Sequence, residues 1–171
     1  MYGRHEENFT TIGPVRAMAT DKELDRFDRE ILRLITEDAS LSLADIAGRV
    51  GLTPTPCWKR IRRMEQDGVI LRRIAVLDPV KVGLPVSVFV EIETADHSSD
   101  WLSRFAKVIE QTPEIVDAWR MSGDVDYLLL VVVPDIASYD AFYRKLIGSV
   151  PLRNVSSRFS MERMKAAALP I

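Results

Sequence analysis

The spacing of apolar residues changes once along the chain, and this change divides it into two kinds of structure. Between residues 24 and 64 apolar residues recur at helical spacing, whereas over 86–93 they alternate with a mostly polar set. The first pattern is typical of amphipathic helices, and the second of a strand with one buried face. Residues 78–85 contain two prolines and a glycine, which favours a turn-rich hinge. We therefore predict a helical domain over 21–77 and an α+β domain over 86–171.

The bulk composition is that of a soluble, reduced protein. The 171 residues are 47% apolar and 28% charged, with a net charge of −2 and one cysteine. These values allow packed cores and exclude an internal disulfide. The sequence has no apolar run long enough to span a membrane and no secretory signal. We expect a cytoplasmic protein whose residues 1–20, which lack periodicity, form a disordered tail.

Two short helices are predicted first. Apolar residues at helical spacing predict a helix capped by Asp25 and ending near Asp38. A second helix should begin after Ser42, with Asp45 in the position of the capping-box acid. Gly51 supplies the left-handed residue that commonly ends a helix.

The stretch TPTPCWKRIRRM at 53–64 predicts a third helix. Thr53 is its N-cap, and prolines 54 and 56 fall where the first amides have no intrahelical acceptor. One side is apolar and carries Cys57, Ile61 and Met64. The other side carries cations over roughly 160°, namely Lys59, Arg60, Arg62 and Arg63.

Two short helices joined by a glycine turn, the second of them basic, indicate a helix-turn-helix. In such a motif the N-terminal residues meet base edges and the cations meet phosphates. The alternative is an ordinary bundle with a solvated basic face; the proline-defined start and the glycine turn favour DNA binding. The predicted DNA contacts are Thr53, Thr55, Pro56, Lys59, Arg60, Arg62 and Arg63.

Residues 69–77 are rich in β-branched side chains and predict a short ribbon or wing. Arg72 and Arg73 lie in its middle. They could reach a phosphate or keep an edge strand soluble, and the sequence leaves both readings open.

The second half predicts the order β-α-β-β-α-β, the ferredoxin-like split unit. Strands are expected at 86–93, 115–121, 125–133 and 155–161, with helices beginning near Ser98 and residue 136. Both helices should cover one face of the sheet. The open face, carrying Phe89, suggests dimerisation through the sheet.

Few residues suggest catalysis or metal binding. Cys57 lies on the apolar side of its helix and is expected to be buried rather than redox-active. Trp58, at the edge of that side, favours packing against the second helix over stacking on DNA sugar. His5 and His97 are far apart in sequence, so we predict no metal site, no cofactor and no enzyme activity.

Three strings identify a family resemblance: VGLTPTPC at 50–57, DGVI at 67–70 and SGDVDYLL at 122–129. They resemble the Lrp/AsnC family of bacterial and archaeal transcription regulators, and the likeness runs from residue 24 to the C-terminus. It implies a winged helix-turn-helix followed by a ferredoxin-like (RAM/ACT-like) effector domain. It also implies dimers joined by their sheets, often assembled into octamers, with an amino-acid effector between dimers. One departure is Arg72-Arg73, where family members often carry the glycine of the wing turn.

The resemblance also implies an effector site. Its loop would be Gly123, Asp124, Val125, Asp126 and Tyr127, with Ser156, Ser157 and Ser160 contributed by a neighbouring subunit. An aspartate of this loop could accept from the ammonium of an amino acid, and backbone N–H groups at the glycine turn could meet its carboxylate. The alternative is a plain hairpin turn with exposed acids.

The predicted function is therefore that of a nucleoid-associated regulator, responsive to an amino acid, that binds a pseudo-palindromic operator. The alternative is an enzyme similar to sirohaem decarboxylases, which share this fold. That chemistry needs histidines and arginines around a tetrapyrrole. His97 is the single histidine in the part predicted to fold, so the enzyme is disfavoured.

Overall fold

The computed structural model describes residues 23–167 and 169–171. They form two compact units. One spans Leu77–Met164, and the other holds the described residues up to Val76 together with those after residue 164. The tail predicted over 1–20 lies outside the described residues. Within the described part, no helix is long and apolar enough to cross a membrane.

The first unit has the three predicted helices, α1 (Arg26–Glu37), α2 (Leu43–Val50) and α3 (Pro54–Gln66). Gly51 ends α2 in the left-handed conformation, with φ of 72°. The helices enclose a core to which all three contribute, including Ile31, Ile46, Ala47, Cys57, Ile61 and Met64. The cysteine is fully buried, as its place on the apolar side predicts.

The reciprocal capping box lies on α1 and not, as predicted, on α2. The Asp25 carboxylate accepts from the Asp28 N–H at 2.9 Å, and the Asp28 carboxylate accepts from the Asp25 N–H at 3.1 Å. On α2, the Ser42 hydroxyl oxygen accepts from the Asp45 N–H. The Asp45 carboxylate, however, accepts from the Ser42 hydroxyl at 2.5 Å. A serine cap offers this side-chain donor, which an aspartate cap lacks.

The ribbon predicted over 69–77 does not form: no strand occurs between α3 and β1. The N–H groups of Val69 and Ile70 both donate to the Met64 carbonyl and close off α3. Residues 71–77 then continue exposed. A strand needs a partner edge, and the three helices of this unit offer none.

The second unit confirms the predicted order β-α-β-β-α-β. Its elements are β1 (Val86–Glu93), α4 (Ser99–Glu110), β2 (Ile115–Arg120), β3 (Tyr127–Val133), α5 (Ile136–Ile147) and β4 (Asn154–Phe159). The antiparallel sheet has the order β2-β3-β1-β4. Predicted and observed strand ends agree within two residues.

The core of this unit lies between one sheet face and the two helices. Val88, Val90, Leu129 and Val131 are fully buried there. Trp101 of α4, which the sequence reading overlooked, is fully buried among them. The other face carries half-exposed aromatic residues, Phe89 and Trp119.

An aspartate cap makes the stability of this unit sensitive to acid. Asp135 caps α5 by accepting from the Ser138 N–H at 2.7 Å. This backbone hydrogen bond, aided by the Ser138 side chain, lowers the pKa of Asp135 below its usual 3.8. A lowered folded-state pKa gives stability that is present above the usual value and lost as the pH falls through the lowered one.

We therefore expect Asp135→Asn, which keeps a capping residue without a charge, to flatten the fall in stability between pH 5 and pH 3. Urea unfolding of the full chain at both pH values measures this. Asp124→Asn, at an exposed turn residue, is the matched control and should fall like the original chain. Equal slopes for Asp135→Asn and the control would contradict the assignment.

Candidate nucleic-acid interface and effector site

The outward side of α3 carries one continuous polar stripe. Thr55, Lys59, Arg62 and Gln66 are all exposed and lie one helical turn apart in succession. They lie opposite the buried residue Cys57. The sequence reading missed Gln66, although its spacing from Arg62 and Lys59 places it on the same stripe.

The beginning of α3 is fixed by its backbone. Thr53 is the N-cap, and its side chain makes no capping hydrogen bond. The prolines in the first turn hold φ near the helical value and need no N–H acceptor. Thr53, Thr55 and Pro56 are exposed, so this end of the helix presents polar groups on a rigid backbone.

Two of the four cations predicted to face outward do not. Arg60 Nη1 lies 2.6 Å from Asp25 Oδ2 and 2.9 Å from Asp28 Oδ1. Arg63 Nη2 lies 2.5 Å from Asp28 Oδ2. The expectation of four outward cations was therefore wrong for Arg60 and Arg63, because the acidic start of α1 lies beside that flank of α3.

The ion pair of Arg60 with Asp25 favours the charged forms of both of these side chains. Hydrogen bonds to Asp25 and Asp28 raise the pKa of Arg60. The pKa of Asp25 is lowered, first by the hydrogen bond from the Asp28 N–H and then by Arg60. Arg60 is therefore engaged within the unit, and the distance from Arg63 to Asp28 places Arg63 in the same cluster.

Trp58 lies on the opposite flank of α3 and is half exposed. The predicted packing against α2 is partial, since the ring lines an open groove of about 300 Å³ that includes two α2 residues, Leu43 and Ile46. Arg62 lies over the ring, its guanidinium carbon 5.8 Å from the centroid. Arg62 and Arg73 each pair with Glu65 at 3.3 Å.

In the second unit, the two aspartates of the turn before β3 lie in different surroundings. Gly123 has φ of 111°, and Asp124 beside it is exposed. Asp126 is fastened: its carboxylate accepts from the Thr94 N–H at 2.8 Å, and its N–H donates to the Ile92 carbonyl at 3.0 Å. Asp124 therefore has the more available carboxylate, and Asp126 holds the turn to the sheet.

Tyr127 belongs to the core rather than to the turn surface. It is 7% exposed, and its ring centroid lies 4.9 Å from that of Phe105 and 5.7 Å from that of Trp101. Burial raises the pKa of its hydroxyl. The structure does not bring this side chain to the surface with Asp124.

The three serines predicted to line one site do not share a face. Ser156 pairs with Glu91 and Ser157 with Val90 across β4 and β1, so their side chains point to opposite sides of the sheet. Ser157 accepts a hydrogen bond from the Tyr139 hydroxyl on the helix side. Ser160 lies beyond the end of β4, where its N–H donates to the Ser87 carbonyl.

Each of the two units matches a known protein family. Residues 24–70 match the model of a winged helix-turn-helix DNA-binding domain, and residues 87–169 match the Lrp/AsnC ligand-binding domain. The chain belongs to the Lrp/AsnC family. The predicted resemblance and fold are thereby confirmed.

Individual relatives of this Lrp/AsnC chain agree. It is 48% identical to the DNA-binding transcriptional activator DecR of Escherichia coli over 150 residues, 86% of this chain and 99% of that one. The crystal structure of an AsnC family transcriptional regulator from Agrobacterium tumefaciens superposes on this chain with a TM-score of 0.79. The match covers 84% of this chain and 94% of that one, and the two sequences are 59% identical. A Neisseria meningitidis regulator solved with L-Met is 26% identical, with a TM-score of 0.79 over 85% and 94%.

The predicted function as a DNA-binding transcription regulator with a ligand-binding domain is confirmed by these relatives. The predicted absence of enzyme activity agrees with them, and the decarboxylase alternative finds no support. Within the described residues, no group of three or more His, Cys, Asp or Glu side chains is placed to hold a metal ion.

Proposed function

We propose that this Lrp/AsnC regulator binds a pseudo-palindromic operator as a homodimer and that a free amino acid modulates its binding or assembly. The observation that carries the DNA reading is the exposed stripe of Thr55, Lys59, Arg62 and Gln66 on a helix with a fixed start. A helix of this kind fits the major groove, and a dimer reads two half-sites about one helical turn apart.

The contacts divide by chemistry. Thr53, Thr55 and Pro56 at the start of α3 are proposed to meet base edges, where hydroxyl groups can donate or accept. Lys59 and Arg62 are proposed to meet phosphates. The amide of Gln66 can serve either purpose. Arg60 and Arg63, bound to α1, contribute by holding α3 rather than by touching DNA.

The amino acid is proposed to bind at the turn of Gly123, Asp124 and Val125. Asp124 accepts from the ligand ammonium, and backbone N–H groups beside Gly123 face its carboxylate. Asp126 supports the turn from below. The neighbouring subunit contributes Ser156 or Ser160. Tyr127 and Ser157 face the core and do not contact the amino acid. The related Neisseria regulator solved with L-Met supports an amino acid as the class of ligand.

Dimerisation is proposed through the open sheet face. Phe89 and Trp119 are 37% and 40% exposed there, and the Arg158–Glu91 ion pair lies on the same face. A face of this mixed character suits a symmetric, self-complementary contact. We propose that octamers form when dimers contact one another at the effector sites.

The proposed roles keep the domains predicted from the sequence, although residues 165–171 group with the helical unit. We assign DNA binding to 21–77 and effector binding with assembly to 86–171, with 78–85 as the hinge between them. We also propose a cytoplasmic, nucleoid-associated location in a bacterium or archaeon, which the bacterial DNA-binding relatives support.

Selection of genomic DNA fragments by the purified chain, with and without a mixture of the twenty amino acids, tests this proposal. We expect enrichment of fragments that share a pseudo-palindrome, and a changed enrichment or altered mass by light scattering when amino acids are added. Fragments without a shared site would contradict operator recognition. An unchanged outcome with every amino acid would contradict the effector role.

Removing the proposed ammonium acceptor should weaken amino-acid binding. A charged hydrogen bond contributes about 1.5–3 kcal/mol, so Asp124→Asn should raise the Kd by about 10- to 100-fold for the amino acid that alters DNA selection. Isothermal titration calorimetry measures this. Asp117→Asn, at an exposed aspartate of β2, is the control with the same charge change. Undiminished binding by Asp124→Asn would place the acceptor elsewhere.

A further inference from the structure

Asp28 is the most deeply buried charged group in the helical unit. Its residue is 1% exposed, and each carboxylate oxygen accepts from a different arginine of α3, Arg60 at 2.9 Å and Arg63 at 2.5 Å. Asp25, at the N-cap of the same helix, accepts from Arg60 at 2.6 Å. We call Asp25 and Asp28 the α1 acid pair.

The α1 acid pair gives the two arginines the ligand that a DNA backbone would otherwise give them. Guanidinium groups bind carboxylates and phosphates with the same hydrogen-bond geometry. Two aspartates and two arginines sum to zero charge. Of the cations of α3, Lys59 and Arg62 are thus left on the outward stripe.

The arginines are nevertheless within reach of solvent. The Arg60 and Arg63 side chains are 26% and 29% exposed, whereas the Asp28 side chain is 1% exposed. The Arg60 guanidinium also lies 5.4 Å from the centre of the Phe27 ring. Loss of the acid charge would therefore release cations that already lie near the surface.

We propose that the α1 acid pair is an internal substitute for phosphate, which withholds Arg60 and Arg63 from the DNA backbone and so limits affinity for arbitrary duplex. The same contacts position α3 against α1. The proposal rests on the proposed function in one respect, namely that α3 is the surface that binds DNA.

The test is the salt dependence of binding to a duplex of random sequence, measured on the full chain. Each phosphate contact contributes a slope of about 0.9 to the plot of log affinity against log salt. Asp28→Asn should steepen the slope by about one to two units for each bound helix and tighten binding at low salt. Asp25→Asn removes one of the two carboxylates that Arg60 contacts and leaves Asp28 as the one carboxylate of the acid pair for both arginines, so it should steepen the slope by less than about one unit.

Glu37→Gln is the matched control, because it removes one negative charge from the far end of α1 at an exposed residue. It should leave the slope close to that of the original chain. A second readout excludes a merely structural effect. Arg63→Gln should not change the slope in the original chain, but in the Asp28→Asn background it should lower the slope by about one unit.

The outcomes separate cleanly. If the Asp25→Asn and Asp28→Asn slopes both equal that of Glu37→Gln, the internal-substitute proposal is overturned while DNA binding stands. If Asp28→Asn fails to fold by circular dichroism, Asp25→Asn decides, because the Asp25 side chain is 48% exposed and its loss leaves one carboxylate for two arginines. A slope equal to that of Glu37→Gln then overturns the proposal. If the original chain shows no salt-dependent DNA binding, the proposed function fails and this inference fails with it.

Discussion

Replacement of Trp101 by Ala is expected to lower the free energy of unfolding of the α+β unit by about 3–5 kcal/mol. The indole is fully buried. Its centroid lies 4.9 Å from that of Phe105, and its Nε1–H donates to the Pro151 carbonyl at 2.9 Å. Truncation would remove the largest buried side chain of this core and leave that carbonyl without its donor.

Urea unfolding followed by far-ultraviolet circular dichroism, at one fixed protein concentration, measures this loss. Trp101→Phe keeps an apolar ring but not the N–H donor and should fall between the original chain and Trp101→Ala. Trp58→Ala is the matched control, since that indole is 50% exposed and should cost less than about 1 kcal/mol. A loss below 1 kcal/mol for Trp101→Ala would contradict a packed indole.

Removal of both outward cations, Lys59→Ala with Arg62→Ala, is expected to weaken operator binding by about 100-fold or more at physiological salt. A hydrogen bond to a charged group contributes about 1.5–3 kcal/mol, and the proposed dimer would present each contact twice. The salt slope should fall by about one unit for each phosphate contact removed. Arg63→Ala alone should leave the salt slope unchanged, because Arg63 pairs with Asp28.

Fluorescence anisotropy with a labelled operator duplex, over a range of salt, measures both quantities. The double variant Arg104→Ala with Lys107→Ala on α4 makes the same charge change in the other unit and is the control. Both control side chains are exposed. Should the two double variants bind alike, α3 would not be the DNA-contacting helix.

The sequence predicted local features well, because their causes lie within a few residues. Thr53 and the prolines mark the start of α3, since a helix start depends only on its first turn. Gly51 is needed where the chain turns left-handed. The alternation of apolar and polar residues over 86–93 predicted which side chains of β1 face the core. The order of helices and strands then predicted the ferredoxin-like arrangement.

The errors come from partners that are distant in sequence. Arg60 and Arg63 pair with Asp28 at separations of 32 and 35 residues, and Asp126 is bound by Thr94, 32 residues away. No local pattern reveals such pairings. The error at Ser156 and Ser157 has another cause. Side chains alternate between the two faces of a strand, so their opposite orientation could have been predicted from the sequence.

The hydrogen bond from the Thr94 N–H to the Asp126 carboxylate has a consequence for the changes that the turn before β3 can tolerate. This hydrogen bond holds the residue directly before β3, so the turn that precedes it can change in length or in side chains without disrupting the pairing of β1 and β3. On the proposed function, substitutions at residues 122–125 would change which amino acid binds while this hydrogen bond still holds the start of β3.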